Sequence, residues 1–251
     1  MNDTPANRML AIETTGSPLS AAYFEDGRPV CCIYSDIRRN HSVSLMPFLE
    51  QVMRIAGTDI SDIGLIACSR GPGSFTGVRI GVAAAKGLAQ ALDKPVIPVP
   101  TLMSLAYNVY GAEGLIVPIM DARRGEVYAC AYRRGGVPDG SEPADNGLPE
   151  AQTDVMALPI DILFDTIQKL AGGFSKKTIF LGDGANVYRE RILERGYDIA
   201  PPHLILQNAL SVGALAAKLY ERGIWEDCAR FQPFYIRKPQ AERELMKRRG
   251  G

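Results

Sequence analysis

A glycine-rich run in the first third of the chain constrains the fold more than any other feature. Residues 63–69 are mainly apolar, residues 70–81 contain four glycines, and residues 78–92 are mostly small or aliphatic. An apolar run that ends in glycines and continues at helical spacing predicts a buried strand, a tight turn and a helix. This strand–turn–helix unit is typical of α/β domains.

The glycines of this turn have two interpretations. Free backbone N–H groups before a helix can bind a phosphate, which makes Gly71 and Gly73 candidate phosphate-binding positions. The spacing is not that of a Walker loop, because Gly71 and Gly77 lie six positions apart and Val78 follows instead of lysine. Alternatively, the glycines allow φ > 0 and a close approach of the following helix. We favour close packing and keep phosphate binding as the second interpretation.

Patterns on both sides of the turn predict an α/β protein with two domains. Residues 9–34 contain three apolar runs joined by turns, and residues 42–56 follow an amphipathic helical spacing. The first domain therefore has the order β-β-β-α-β-α. Later in the chain, the predicted strands are 95–99, 115–120, 126–132 and 178–181, and the predicted helices are 102–110, 185–195 and 208–222.

The predicted boundaries divide the chain into two lobes and a tail. The first lobe covers residues 8–105, a smaller and degenerate second lobe covers residues 106–237, and residues 238–251 form a basic tail. A helix near residues 208–223 is expected to pack back onto the first lobe. Residues 135–149 are rich in Gly, Pro and Asp, which predicts an exposed loop.

The composition argues against several classes of function. Lys plus Arg and Asp plus Glu both total 28, so no overall field attracts the chain to nucleic acid or to an anionic membrane. The only histidines are His41 and His203, which excludes a histidine-rich centre, and no metal is predicted. The five cysteines lack a C-x-x-C spacing, and the N-terminus lacks an apolar signal or spanning segment. These features predict a cytoplasmic protein that does not associate with membranes.

Few residues offer a catalytic site. The glycine-rich turn does not fit the G-x-S-x-G pattern of a serine hydrolase. Asp121, Arg123 and Tyr128 fall on one predicted hairpin, where they form either a site or a turn held by Asp121. Gly182 and Gly184 mark a second strand–glycine–helix corner, which is a weak candidate for phosphate binding.

Several short motifs are spread over residues 10–237. They are Leu10-Ala11-Ile12-Glu13-Thr14-Thr15, His41 ahead of Met46-Pro47, residues 70–81, Thr101-Leu102, Asp121-Ala122-Arg123, Gly125-Glu126-Val127-Tyr128 and Pro233-Phe234-Tyr235-Ile236-Arg237. With these motifs the chain resembles the TsaB (YeaZ) family, which serves bacterial threonylcarbamoyladenosine tRNA modification. The resemblance implies the actin-like and sugar-kinase ATPase fold with two related lobes.

The resemblance also implies a chain that is not itself an enzyme. The related catalytic family, TsaD, places two metal-binding histidines in an H-x-x-x-H pattern where this chain has Thr101 and Leu105. Neither side chain replaces imidazole as a ligand of iron or zinc. The first turn departs from active relatives as well, because it begins with Glu13 instead of Asp. Thr14 and Thr15 are therefore candidates for weak phosphate binding only.

The partners follow from the same resemblance. It implies a platform subunit that binds and activates a TsaD-like transferase, together with a TsaE-like ATPase, for threonylcarbamoyl transfer to the adenosine next to the anticodon of tRNA. The tRNA is expected to contact this chain only indirectly, through the complex. No cofactor is expected to bind tightly, although ATP or ADP is a candidate ligand near the complex interface.

The expected partner surface lies on the two helices of the first lobe. In the absence of a partner, exposed apolar helix faces favour a homodimer. The expected interface residues are Met46, Leu49, Met53, Phe75, Gly77, Val78, Gly81, Ala84, Ala85 and Leu88.

Two rival functions remain as alternatives. The first is a small-molecule kinase or ATPase of the same fold that uses Glu13, Asp121 and the Gly182–Gly184 corner around Mg-ATP. The second is a peptidase activity, which the absence of a recognisable nucleophile and of metal ligands argues against.

Overall fold

The computed structural model describes residues 8–37, 40–134, 147–171 and 177–236. The predicted basic tail and most of the predicted loop at residues 135–149 lie outside these ranges. None of the described helices combines the length and the apolar character needed to span a bilayer.

A five-stranded sheet forms the centre of the first lobe. Its strands are β1 (Arg8–Glu13), β2 (Leu19–Glu25), β3 (Arg28–Ser35), β4 (Leu65–Ser69) and β5 (Val96–Val99). Their order is β3-β2-β1-β4-β5, in which β1 pairs antiparallel with β2 and parallel with β4. The central strands β1 and β4 are almost entirely buried, as expected for a sheet that is covered on both faces.

Three helices follow the strands of the first lobe. They are α1 (His41–Ala56), α2 (Phe75–Leu92) and α3 (Thr101–Tyr107), with a short 3-10 turn at Ile60–Asp62 between α1 and β4. The side chain of Asn40 accepts a hydrogen bond from Ser42 N–H, and that of Ser74 accepts one from Gly77 N–H, so α1 and α2 begin with conventional polar caps. The predicted order β-β-β-α-β-α is confirmed.

A second sheet repeats this topology. It contains β6 (Leu115–Arg123), β7 (Glu126–Ala129), β10 (Met156–Pro159), β11 (Thr178–Leu181) and β12 (Asp198–Ile199), with β8 (Tyr132–Arg134) and β9 (Pro149–Ala151) at one side. Its helices are α4 (Ile160–Ala171), α5 (Asp183–Val187) and α6 (Arg189–Glu194). The main strand order, β10-β7-β6-β11-β12, corresponds strand by strand to the order of the first sheet. The structure therefore confirms an actin-like fold with two related lobes.

The last described helix returns to the first lobe. This helix, α7 (Ala209–Glu221), buries Val212 and Ala216 in a cluster with Ala11 of β1 and Ile97 of β5. Gly213 allows this approach, because an added Cβ would lie 2.1 Å from the ring of Phe24.

Residues 224–236, called here the C-terminal strap, also lie on the first lobe. Glu226 forms an isolated bridge with Val96 at the sheet edge, and the fully buried Phe231 belongs to the core beneath α1 and α2. Lys86 of α2 donates hydrogen bonds to the carbonyls of Ala229 and Phe231. The predicted second lobe, residues 106–237, wrongly includes the C-terminal strap. Burial of Phe231 attaches the strap to the first lobe.

Candidate functional site

The glycines of the loop and of α2 bring this helix onto the β1–β2 turn. A Cβ at Gly77 would lie 2.1 Å from the carbonyl oxygen of Thr14, and one at Gly81 would lie 2.3 Å from Thr14 Oγ1. A Cβ at Gly73 would lie 2.5 Å from the carbonyl oxygen of Thr15. Close packing therefore requires glycine at these three positions.

Three backbone amides of the loop and of the first turn of α2 are already hydrogen-bonded. Gly71 N–H donates to Thr101 Oγ1 at 3.2 Å, and Ser74 N–H donates to the carbonyl oxygen of Thr15 at 2.7 Å. Gly77 N–H donates to Ser74 Oγ. A phosphate cradle needs convergent free amides, so this loop has lost much of that capacity.

The two threonines of the β1–β2 turn are fully buried. Thr14 Oγ1 donates to the carbonyl oxygen of Gly77 at 2.8 Å, and Thr15 Oγ1 donates to Glu13 Oε1 at 2.6 Å. Neither hydroxyl faces solvent in this conformation. The structure therefore removes Thr14 and Thr15 from the candidate phosphate-binding residues.

Glu13 is a fully buried carboxyl group beneath the same turn. Its Oε2 accepts a hydrogen bond from Ser69 Oγ at 2.5 Å, and its Oε1 accepts from Thr15 N–H at 2.5 Å. Burial raises the pKa of Glu13 above its ordinary value, although these hydrogen bonds oppose the shift. A carboxyl group in this position holds the turn together and has no open path to a metal–nucleotide complex.

The second glycine corner is likewise closed. Gly182, at φ +97°, donates its N–H to the carbonyl oxygen of Ile205 at 2.6 Å, and an added Cβ would lie 2.1 Å from the carbonyl oxygen of Ile119. Gly184 lies against the same Ile119 carbonyl group. Both glycines thus serve close packing of α5 onto β6.

Asp121 holds the β6–β7 turn. Its Oδ1 accepts Arg123 N–H at 2.8 Å, and its Oδ2 lies 3.2 Å from Arg123 Nη1. Its own N–H donates to Asp183 Oδ1, and burial together with the charge of Asp121 raises the pKa of Asp183. Of the two interpretations of this hairpin, the structure supports the turn.

The ten expected interface residues divide by exposure. Met46 and Phe75 are exposed, and Met53, Ala84 and Leu88 are half-buried. The other five are buried within the chain and are removed from the candidate surface, because the face of α2 that carries the closest-packed small residues lies against the first sheet. These five are Leu49, Gly77, Val78, Gly81 and Ala85.

A different set of residues forms the outer surface of α1 and α2. Val43 is 70% exposed and Met46 is 45% exposed, and Pro47 lies beside them on α1. The exposed residues of α2 include four small ones, which are Thr76, Ala83, Gly87 and Ala91, beside the longer Phe75, Arg79 and Gln90. We call the three residues of α1 and these four small residues of α2 the α1–α2 face. The helical period of the sequence could have separated this face from the buried one, but it did not show which face meets the sheet.

The positions compared with metal ligands lie in the core. Thr101 and Leu105 of α3 are both fully buried, and Thr101 Oγ1 holds the glycine-rich loop. Among the residues that the structure describes, no group of three His, Cys, Asp or Glu side chains is arranged to hold a metal ion.

Comparisons with known proteins place the chain in a family. A family model described as "TsaD: tRNA N6-adenosine threonylcarbamoyltransferase" matches residues 35–245. The tRNA threonylcarbamoyladenosine biosynthesis protein TsaB of Escherichia coli is 30% identical over 240 residues, which cover 95% of this chain and 98% of that protein. The chain belongs to the TsaB (YeaZ) family. TsaB of Bacillus subtilis is 40% identical over half of this chain and 55% of its own length.

A solved structure supports the same assignment, and a transferase is similar to part of the chain. YeaZ from Pseudomonas aeruginosa is 29% identical and superimposes with a TM-score of 0.74, covering 92% of this chain and all of that one. A tRNA N6-adenosine threonylcarbamoyltransferase of Solidesulfovibrio magneticus is 34% identical over 108 residues, which are 37% of this chain and 29% of the transferase. The TsaB family thus connects this chain with tRNA threonylcarbamoyladenosine biosynthesis.

Proposed function

We propose that this TsaB-family chain is a non-catalytic subunit that binds and activates a TsaD-like transferase through its α1–α2 face. The observation that carries the proposal is Gly87. This glycine lies in the middle of α2, has ordinary helical φ, and would meet nothing within 4 Å if it carried a Cβ. A glycine in a helix interior costs up to about 1 kcal/mol relative to alanine.

Close approach of another molecule accounts for this cost. Gly77 and Gly81 are explained by packing within the chain, whereas Gly87 is not. Together with Ala83 and Ala91 it forms a stripe of small residues on the outer surface of α2, between the exposed Arg79 and Gln90. Small residues allow the backbones of two packed helices to come close together, so this surface suits a helix of a partner.

The neighbouring helix supplies apolar side chains. Val43, Met46 and Pro47 project from α1, which packs beside α2. Contiguous apolar residues at the surface are typical of interaction sites. Two adjacent helices, α1 with its exposed apolar side chains and α2 with its stripe of small residues, can pack against two helices of a partner to form a four-helix contact.

The closed first-lobe corner supports the non-catalytic part of the proposal. Thr14, Thr15 and Glu13 use their polar groups within the chain. In this conformation the turn lacks free threonine hydroxyl groups and the accessible carboxylate that phosphoryl transfer requires. We propose accordingly that any ATP or ADP binds near the complex interface and not in this corner.

The proposal includes the remaining partners of the complex. A TsaE-like ATPase would join the two subunits, and the transferase would hold the modified adenosine of tRNA. Without the transferase, a second copy of the chain would cover the α1–α2 face as a homodimer.

Co-purification with the TsaD-like subunit of the same organism tests the proposal. Gly87→Arg adds a long charged side chain to the α1–α2 face without a clash inside the chain, and should reduce capture of the TsaD-like subunit by at least about tenfold. Gly111→Arg is the matched control, because Gly111 is also exposed and also has nothing within 4 Å. Equal capture of both variants would contradict the proposed interface.

A further inference from the structure

The β6–β7 turn combines an unfavourable backbone with an unexpected pair of residues. Arg123 has φ +67°, Arg124 has φ +59° and Gly125 has φ +80°. Arg123 pairs with Glu126 across the hairpin, which makes Arg124 and Gly125 the central residues of a two-residue turn. Such a turn requires positive φ at both positions and favours Asn, Asp or Gly there. Arginine rarely adopts positive φ, so it is unfavourable both at position 123 and at position 124.

Another hairpin in the same chain shows the usual solution. The β2–β3 turn has Asp26 at φ +52° and Gly27 at φ +74°. Aspartate tolerates this conformation because its short side chain forms local hydrogen bonds. The turn geometry alone therefore does not explain Arg124, and residues held in strained conformations concentrate at functional positions.

Both arginine side chains are presented to solvent. Arg123 is 86% exposed although Asp121 holds its backbone N–H and one guanidinium nitrogen. Arg124 is exposed and makes no ion pair with any residue that the structure describes. Asp121 in turn is held by Asp183, which fixes the base of the turn. The β6–β7 turn is thus held in place by Asp121 and Asp183 and exposes two guanidinium groups.

The strand that precedes this turn contacts the first lobe. Met120, immediately before Asp121, reaches the glycine-rich loop, since a Cβ at Gly73 would lie 3.2 Å from its methyl group. The same loop opens α2, whose first turns carry the exposed Arg79. The strand that leads into the β6–β7 turn therefore contacts the loop that opens a helix of the proposed interface.

We propose that Arg123 and Arg124 bind backbone phosphates of tRNA directly. Guanidinium groups match phosphate oxygens in geometry and keep their charge at all relevant pH values. The formal net charge of the chain is zero, so an RNA contact has to be a local one of this kind. The identity of the RNA rests on the proposed function, but the contact does not depend on binding of the transferase. This contact differs from the purely indirect one expected from the sequence.

The double variant Arg123→Asn with Arg124→Asn separates binding from folding. Asparagine tolerates positive φ better than arginine, so the variant should melt at a higher temperature than the wild type. Fluorescence anisotropy with labelled, unmodified tRNA transcript and the full chain then measures affinity from about 50 to about 200 mM salt. We expect the variant to bind about tenfold more weakly and the slope of log K against log salt to fall by about one to two units.

A matched control removes two positive charges elsewhere. Arg28→Asn combined with Arg189→Asn alters two exposed arginines outside the β6–β7 turn and should leave affinity and salt slope close to those of the wild type. The proposal is overturned if the wild-type chain does not bind tRNA at low salt, or if the double variant binds with unchanged affinity and slope. A lower melting temperature of the double variant would assign the arginines to folding and would also overturn it.

Capture of the TsaD-like subunit is measured on the same proteins. Retained capture with weakened tRNA binding supports the tRNA contact. Lost capture with unchanged tRNA binding would assign the arginines to an acidic protein surface and overturn the contact. If the wild type binds tRNA but captures no transferase, the proposed function fails while the tRNA contact stands.

Discussion

The two lobes share one strand order but differ at the turn that follows their first strand. In the first lobe, the β1–β2 turn is sealed beneath α2, and Thr14 is fully buried. In the second lobe, the β6–β7 turn stays at the surface and Arg123 is 86% exposed. Gly77 lets α2 rest on the first turn, whereas Gly182 brings α5 onto Ile119, within strand β6 and away from its turn.

This difference shows what topology determines and what it leaves open. The strand order places both turns at the same position of each lobe. The 18-residue helix α2 reaches the β1–β2 turn and buries it, whereas the five-residue helix α5 leaves the β6–β7 turn exposed. The β1–β2 turn is therefore expected to respond to mutation in stability, and the β6–β7 turn in binding.

The largest expected effect comes from opening the first-lobe corner. Gly77→Val places side-chain atoms on the carbonyl oxygen of Thr14 and should lower the free energy of unfolding by about 3 kcal/mol. Urea denaturation measures the loss. Gly87→Val on the outer surface of α2 is the control and should cost little. If Gly77→Val were as stable as the wild type, α2 would not be packed tightly against the β1–β2 turn.

A smaller loss is expected at Gly182, where α5 packs onto strand β6 of the second lobe. Gly182→Ala combines a strained φ of +97° with a Cβ 2.1 Å from the carbonyl oxygen of Ile119, and should cost about 2 kcal/mol. The same urea experiment measures it, with Gly111→Ala as control. If Gly182→Ala costs no more than Gly111→Ala, Gly182 is not required for the packing of α5 onto β6.

The pH dependence of stability should report on the buried carboxyl group beneath the β1–β2 turn. Burial raises the folded-state pKa of Glu13 from its ordinary value of 4.5. Stability is therefore fully present below that value and declines as pH rises through the folded pKa, because ionisation then costs more in the folded state. Glu13→Gln should lack this part of the decline, so its advantage over the wild type grows from pH 4.5 upward. Parallel pH curves of the two proteins would contradict a buried, destabilised carboxylate.

The smallest effect concerns the outer surface of α2. Gly87→Ala should raise the free energy of unfolding by about 0.5–1 kcal/mol, because alanine favours the helix and nothing opposes its Cβ. Thermal unfolding of the chain alone measures the gain. A loss of stability would mean that Gly87 is needed within the chain, which would remove the main support for the partner surface.

The sequence predicted elements with strong periodicity well. The helices at residues 42–56 and 208–222 correspond to α1 and α7, because each has a clear apolar period and a capping asparagine. The predicted helix at residues 185–195 is instead two short helices that meet at Tyr188, and α4 was not identified. Short or weakly capped segments depend on tertiary packing that local sequence does not encode.

The candidate site was harder to predict than the fold. The small residues of α2 correctly indicated close packing, but Gly81 and Ala85 face the sheet, and Ala83 and Gly87 face outward. Both sets have helical spacing, so periodicity alone does not tell an internal contact from an external one. The positive φ of Arg124 was also invisible, because arginine gives no local indication of a left-handed turn.

Methionine footprinting with the transferase tests the central claim most directly. Met46 is exposed on the α1–α2 face, whereas the half-buried Met156 lies on β10 of the second lobe. We predict that a saturating TsaD-like subunit slows oxidation of Met46 several-fold, measured by peptide mass spectrometry, and leaves the rate at Met156 unchanged. An unchanged rate at Met46 in a complex that has demonstrably formed would contradict the assignment of this face to the transferase.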